Sequence, residues 1–179
     1  NSNRADLLRV YAQTEPGSGA KGIAAFLVDA AQPGVTRTQP YDMLGGHATG
    51  AGGFAFTQVE LQQEQLLSPA GVAYPAAMNA IGLARVLVAA LCAGILQRAL
   101  DDSVTRLIQR HAFGQRLADK QGLRWMLADV ATDLNAARGL TEIAARSIDG
   151  DESDSIIHTA HAKKFAARAA TRGIEQCMQ

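Results

Sequence analysis

Aromatic side chains make up only 5% of this chain, and their scarcity, set against many Ala and Leu residues, favours helix over most of its length. Cysteine is almost as sparse. Cys92 and Cys177 lie far apart within expected helices, which argues against a disulfide framework and for small core residues in a reducing compartment. No charge of one sign prevails, since 17 basic residues balance 17 acidic ones, so neither nucleic acid nor an anionic membrane surface is indicated as a partner. Long apolar runs are also few. Val86 to Leu96 is bounded by Arg85 and by Gln97-Arg98, which reads as too short for a membrane span of ~20 residues. The opening Asn1-Ser2-Asn3-Arg4-Ala5-Asp6 is polar and does not read as a signal peptide. With 179 residues, the chain can build one substantial core or two small ones.

The first third has strand character. Leu7 to Ala12, Gly22 to Val28 and Phe54 to Val59 are short β-compatible runs separated by Gly, Pro, Asn and Asp, and they read as antiparallel strands. Gly17-Ser18-Gly19-Ala20-Lys21-Gly22 has the spacing of a dinucleotide-binding fingerprint. That fingerprint must leave a strand and open a helix, whereas this stretch feeds straight into the strand at Ile23, so a hairpin loop is expected. The Gly45 to Gly53 cluster likewise leads into a strand and reads as a loop or bulge.

Beyond Leu67-Ser68-Pro69-Ala70-Gly71 the pattern turns helical. One long helix is expected from Tyr74 to Gln109, with Pro75 tolerated in its first turn. Its middle, Val86 to Leu96, is apolar all round, which implies burial on every side, within a bundle or under another subunit. A second helix is expected from Leu117 to Ile148. Its stripe of Leu123, Leu127, Val130, Leu134, Ala137, Thr141, Ala144 and Ile148 marks one packed face, with Asp129, Asp133, Arg138 and Arg146 off it as solvated charges. Gly150 to Asp154 then breaks that helix and caps a third, from Ser155 to the end, giving an antiparallel bundle. Asp154, His158 and His161 sit at helical spacing, but the Glu-x-x-His pairs usual in bundle metal centres are missing, and solvated side chains are the simpler reading.

Between the first two helices lies Arg110-His111-Ala112-Phe113-Gly114-Gln115-Arg116-Leu117-Ala118-Asp119-Lys120-Gln121. Gly114 supplies a stop, and Phe113 is an aromatic at a corner flanked by Arg110, Arg116 and Lys120. Positive charge beside an aromatic face suits a planar ligand bearing phosphate, although an ordinary interhelical turn with solvated charges has the same composition.

This stretch, followed by Leu127-Ala128-Asp129-Val130-Ala131-Thr132, resembles the acyl-CoA dehydrogenase pattern of Arg, two variable residues, Phe-Gly, a short gap to Gln, and a helix carrying Leu-Ala-Asp-Met-Ala-Thr. Flanking segments resemble the same family, including Ala162-Lys163-Lys164-Phe165-Ala166, which is similar to its Ala-Lys-x-Phe-Ala helix. The resemblance implies an α+β fold: the later part of an antiparallel middle β domain over residues 1–69, then three long helices of an antiparallel bundle over 70–179. It implies FAD, with Arg110 and Phe113 against the adenine dinucleotide half of a flavin held mainly by a neighbouring subunit. Lys120, Gln121 and Gln179 match positions that help hold FAD, and Arg85 matches an Arg near the acyl-CoA site, or serves as a partly buried structural Arg.

The implied reaction is α,β-dehydrogenation of an acyl-CoA thioester to a trans-2-enoyl-CoA, with a glutamate taking the α-proton, hydride passing to flavin N5, and electrons going on to an electron-transfer flavoprotein. A homo-oligomer, as a dimer of dimers, and a bacterial cytoplasmic or mitochondrial matrix location follow from the same resemblance. Four positions depart from the pattern. Ala84 stands where some members carry the glutamate, and in most others that acid follows the position of Gln179. Gly82-Leu83-Ala84 replaces polar residues, and His47 stands where Arg is usual. A relative acting on a carrier-protein thioester, a flavin oxidase or monooxygenase, and a non-catalytic helical scaffold are therefore the alternatives.

Overall fold

The computed structural model describes all 179 residues, which divide into two compact units, Asn1–Met78 and Asn79–Gln179. In the first unit, β1 (Leu7–Gln13) and β2 (Ile23–Asp29) form an antiparallel hairpin in register from Leu7 opposite Asp29 to Gln13 opposite Ile23. Antiparallel strands with one solvated face need apolar residues only on the other. Ala24 and Val28 turn inward on that basis, and Ala25 is also buried, where a register shift between Ala25 and Phe26 admits the third strand. A short β3 (Val35–Arg37) pairs with β4 (Phe54–Phe56), and β5 (Leu66–Ser68) joins β2. The Arg37 guanidinium donates to the carbonyl of Ala5 at 2.9 Å and to that of Ser2, and stacks over the Phe54 ring at 5.1 Å.

The strand expected over Phe54 to Val59 stops at Phe56, because Gln58 adopts a positive φ of 50°, outside the extended region. The glycine-rich stretch before Ile23 is a hairpin loop. It contains one short 3-10 turn, Gly19–Gly22, closed by Thr14, whose hydroxyl donates to the Gly22 carbonyl at 3.0 Å.

Three long helices follow: α1 (Ala73–Gln109), α2 (Gln121–Asp149) and α3 (Ser155–Met178). Val86 and Ala89 of α1 pack with Ala137 and Ala144 of α2 and with Ala162 and Ala166 of α3. Further along, Ala93 and Leu96 meet Val130 and Leu134, together with Ala169 and Ala170. These two layers set α2 antiparallel to α1 and α3 parallel to α1. The α2 stripe is the packed face, with Val130, Leu134, Ala137 and Ala144 buried and the rest half-buried. Alanine at most of these positions lets the backbones approach closely. At Gly173 the approach is closest: an added Cβ would lie 2.5 Å from Leu96 Cδ1 and 3.4 Å from Val130 Cγ1. The two buried hydroxyls serve their own helices, Ser147 donating to Ala144 at 2.9 Å and Thr159 to Ile156 at 3.0 Å, and no buried side-chain N or O lacks a partner.

Four helix expectations are corrected. Helix α2 begins at Gln121, not Leu117, because Leu117 N–H donates to the Arg110 carbonyl at 2.9 Å and Leu117–Asp119 forms a separate 3-10 turn. The run Val86 to Leu96 is not covered on every side: Leu87, Leu91 and Ile95 are 63%, 61% and 48% exposed. Nor is the apolar stretch too short to span a bilayer, since Arg85 is the one charged residue between Ala73 and Gln97, and α1 is long and apolar enough by length and composition. Its Val86, Ala89, Ala93 and Leu96 stripe is nevertheless buried against α2 and α3. Asp154 does not cap α3 with its side chain, which instead meets His158 Nε2 at 3.2 Å.

Gly173→Ala tests the close approach. Helix propensity favours Ala by ~0.8–1 kcal/mol, whereas overpacking a filled core costs ~1–3 kcal/mol, so a net loss of about 1 kcal/mol is expected in urea unfolding. Leu96→Ala should cost less in the Gly173→Ala background than alone, because removing the Leu96 methyls frees the space the new Cβ takes.

Candidate functional site

After α1 the chain makes a miniature hairpin. His111–Ala112 (β6) pairs with Gln115–Arg116 (β7), leaving Phe113 and Gly114 as its two-residue tip. Both tip residues have positive φ, 56° and 77°, as the primed two-residue turns of tight hairpins require. Gly accepts that conformation freely, but Phe does not: a non-glycine residue there costs on the order of 1–2 kcal/mol. The conformation holds the ring outward, and Phe113 is 91% exposed.

The hairpin and the start of α2 carry basic groups. Lys120 Nζ lies 5.0 Å from the Phe113 ring centroid, within cation–π range. Arg110 is exposed, and no hydrogen bond or ion pair engages its side chain. Arg116 differs, because it forks onto Asp119 with contacts of 3.2 and 3.1 Å. That hydrogen bond holds the Asp119 carboxyl below the usual carboxylate range.

This pairing has a second effect on the site. Lys120 is the N-cap residue of α2, its side chain caps nothing, and the first turn contains no acid. The nearest carboxylate, Asp119, is held by Arg116, so the positive end of the α2 dipole remains open beside Lys120. A helix start at Leu117, four residues earlier, would hide this feature. The available signal was the absence of Ser, Thr or Asn at the start of the α2 run.

The other candidate residues are distributed over the bundle. Gln121 begins α2 and is exposed. Gln179 follows α3 at the same end of the bundle as the hairpin, since Ser103 Oγ near the end of α1 reaches the Cys177 carbonyl at 3.4 Å. Arg85 is half-buried on α1 and has no ionic partner. It lies 25 residues before Arg110, or roughly 37 Å at 1.5 Å per helical residue, so one chain does not bring it to the hairpin. His158 and Asp154 meet Glu152 in a cluster that excludes His161. Cys92 and Cys177 are free thiols beside the bundle core.

Residues 74–179 match the family model described as acyl-CoA dehydrogenase, C-terminal domain. The chain belongs to the acyl-CoA dehydrogenase family. Enzymes of this family are FAD flavoproteins. Over its whole length the chain is 35% identical to the mitochondrial short-chain specific acyl-CoA dehydrogenase of Sus scrofa, of which it covers 43%. It is 31% identical, again over its whole length, to the cyclohex-1-ene-1-carbonyl-CoA dehydrogenase of Geobacter metallireducens, covering 47% of that protein. Among solved structures, butyryl-CoA dehydrogenase from Megasphaera elsdenii superposes with a TM-score of 0.92 at 31% identity, over 99% of this chain and 46% of the other. The chain thus spans less than half the length of these relatives.

Asp119→Asn checks the electrostatics of the turn. A depressed carboxyl pKa stabilises the fold above the unfolded-state value and loses that contribution as pH falls through the lower folded-state value. The variant should therefore melt below the unaltered protein near neutral pH, and the gap should close in acid below the ordinary carboxylate value of 3.8. Melting curves at both pH values provide the check.

Proposed function

We propose that this chain is part of an FAD-dependent oxidoreductase that removes the α- and β-hydrogens of an acyl-CoA thioester and delivers the electrons to an electron-transfer flavoprotein. The observation that carries this reading is the hairpin tip: an aromatic ring held outward in a costly backbone conformation, with an unpaired Arg, a Lys and an open helix N-terminus around it. Strained residues of this kind persist where the surrounding structure over-determines them, commonly at ligand sites.

The residues present fit an adenine dinucleotide. The Arg110 guanidinium matches a pyrophosphate fork to fork, Lys120 and the α2 N-terminus add positive charge, and Phe113 offers a face for a nucleotide base. Gln121 and Gln179 contribute amide donors and acceptors from two helix ends. When bound, FAD supplies the hydride acceptor for the substrate β-hydrogen. Arg85, far along α1, is assigned to the acyl-CoA side. None of the residues named here takes the α-proton, and the methyl side chain of Ala84 next to Arg85 cannot.

The exposed stripe of Leu83, Leu87, Leu91 and Ile95 supports assembly into a homo-oligomer, in which the hairpin of one protomer would serve the flavin of another. Replacing Leu87 and Leu91 together by Lys should shift the complete protein to a smaller species in gel filtration while its helical circular dichroism persists.

The decisive experiment uses the complete protein loaded with FAD and freed of excess cofactor, with visible spectra taken before and after acyl-CoA addition. Flavin bands that bleach are expected, and bands that persist unbleached would point to a different substrate. Arg110→Ala should weaken FAD binding roughly tenfold to a hundredfold, the range for a lost charged hydrogen bond of about 1.5–3 kcal/mol. Unchanged flavin content would refute the assignment.

A further inference from the structure

Lys120 and Phe113 are seven positions apart and belong to different local structures, one at the start of α2 and the other at the hairpin tip. The Lys120 backbone is anchored: its N–H donates to the Leu117 carbonyl at 3.1 Å, and its carbonyl accepts from Arg124 N–H at 3.3 Å. The Phe113 backbone has only the short β6–β7 ladder behind it, and its ring is 91% exposed. The ammonium at 5.0 Å links this ring to the start of α2. It lies over one face of a ring that is otherwise open to solvent.

We propose that Lys120 is a positioning residue for Phe113: its ammonium holds one face of the ring so that the opposite face is presented to the planar part of a bound dinucleotide. The role rests on the flavin reading given above and goes beyond it, because Lys120 then acts through the ring and not only through phosphate. The two modes differ in coupling. A Lys that only meets phosphate contributes independently of Phe113, whereas the part of its contribution that acts through the ring is lost once the ring is gone.

The test is a double-mutant cycle in the complete protein, reading the Kd for FAD by flavin fluorescence titration for the unaltered protein, Lys120→Met, Phe113→Leu and the double variant. Lys120→Met should weaken binding about two- to fivefold, as an exposed cation–π contact allows, and have a clearly smaller effect in the Phe113→Leu background. Lys120→Arg, which keeps the cation, should restore affinity.

A second readout needs no cofactor. With fluorophenylalanine incorporated, the fluorine resonance assigned to Phe113 by its loss in Phe113→Leu should move in Lys120→Met and return toward its place in Lys120→Arg. Additive effects on Kd would overturn the positioning role, and an unmoved resonance would overturn the contact itself. If Phe113→Leu and Arg110→Ala both leave FAD affinity unchanged, the flavin reading fails, and that outcome is distinguishable because it arises before Lys120 is altered.

Discussion

Two consecutive positive φ angles, at Phe113 and Gly114, are the constraint on which this site depends. They reverse the chain in two residues between β6 and β7, within the connection from α1 to α2. They also leave an aromatic ring exposed at the tip. The turn requires glycine at only one of its two positions as a matter of conformational ease. The other is Phe, which takes that conformation only at a cost.

The charges around this corner divide by partner. Arg116 is occupied by Asp119, and in holding it keeps the nearest carboxylate from the α2 N-terminus. Arg110 and Lys120 are left to face outward or onto the ring. An ion pair on the surface adds little stability, so its main consequence here is the local sign of the field. A corner with neutralised acid, open helix dipole and two available cations suits a pyrophosphate better than any one of these residues would alone.

The bundle holds the site by close packing of small residues. Alanine fills most buried helix positions, and Gly173 admits the Leu96 side chain where α1, α2 and α3 meet. Small side chains bury modest area each, and the compensation is dispersion between closely spaced backbones. Helix α1 uses only one stripe for this purpose. Its opposite stripe of Leu and Ile remains open in the single chain, consistent with a surface completed by further protein.

Periodicity and punctuation in the sequence determined the helices, the β1–β2 hairpin and the packed face of α2, because those patterns depend on neighbours three, four or two residues apart. The Arg110 to Gln121 motif was legible for the same reason: its members are close in sequence. What only the folded chain decided was which groups were already engaged, whether across a local turn or between helices. Asp119 might have capped α2 and Arg116 might have remained free, but their mutual fork assigns both. All-round apolarity in Val86 to Leu96 did not say which stripe would be buried, since burial depends on where α2 and α3 lie. Arg85 lies on α1 and Arg110 just beyond its end, and the helix between them keeps them apart, because helical rise converts sequence distance into space.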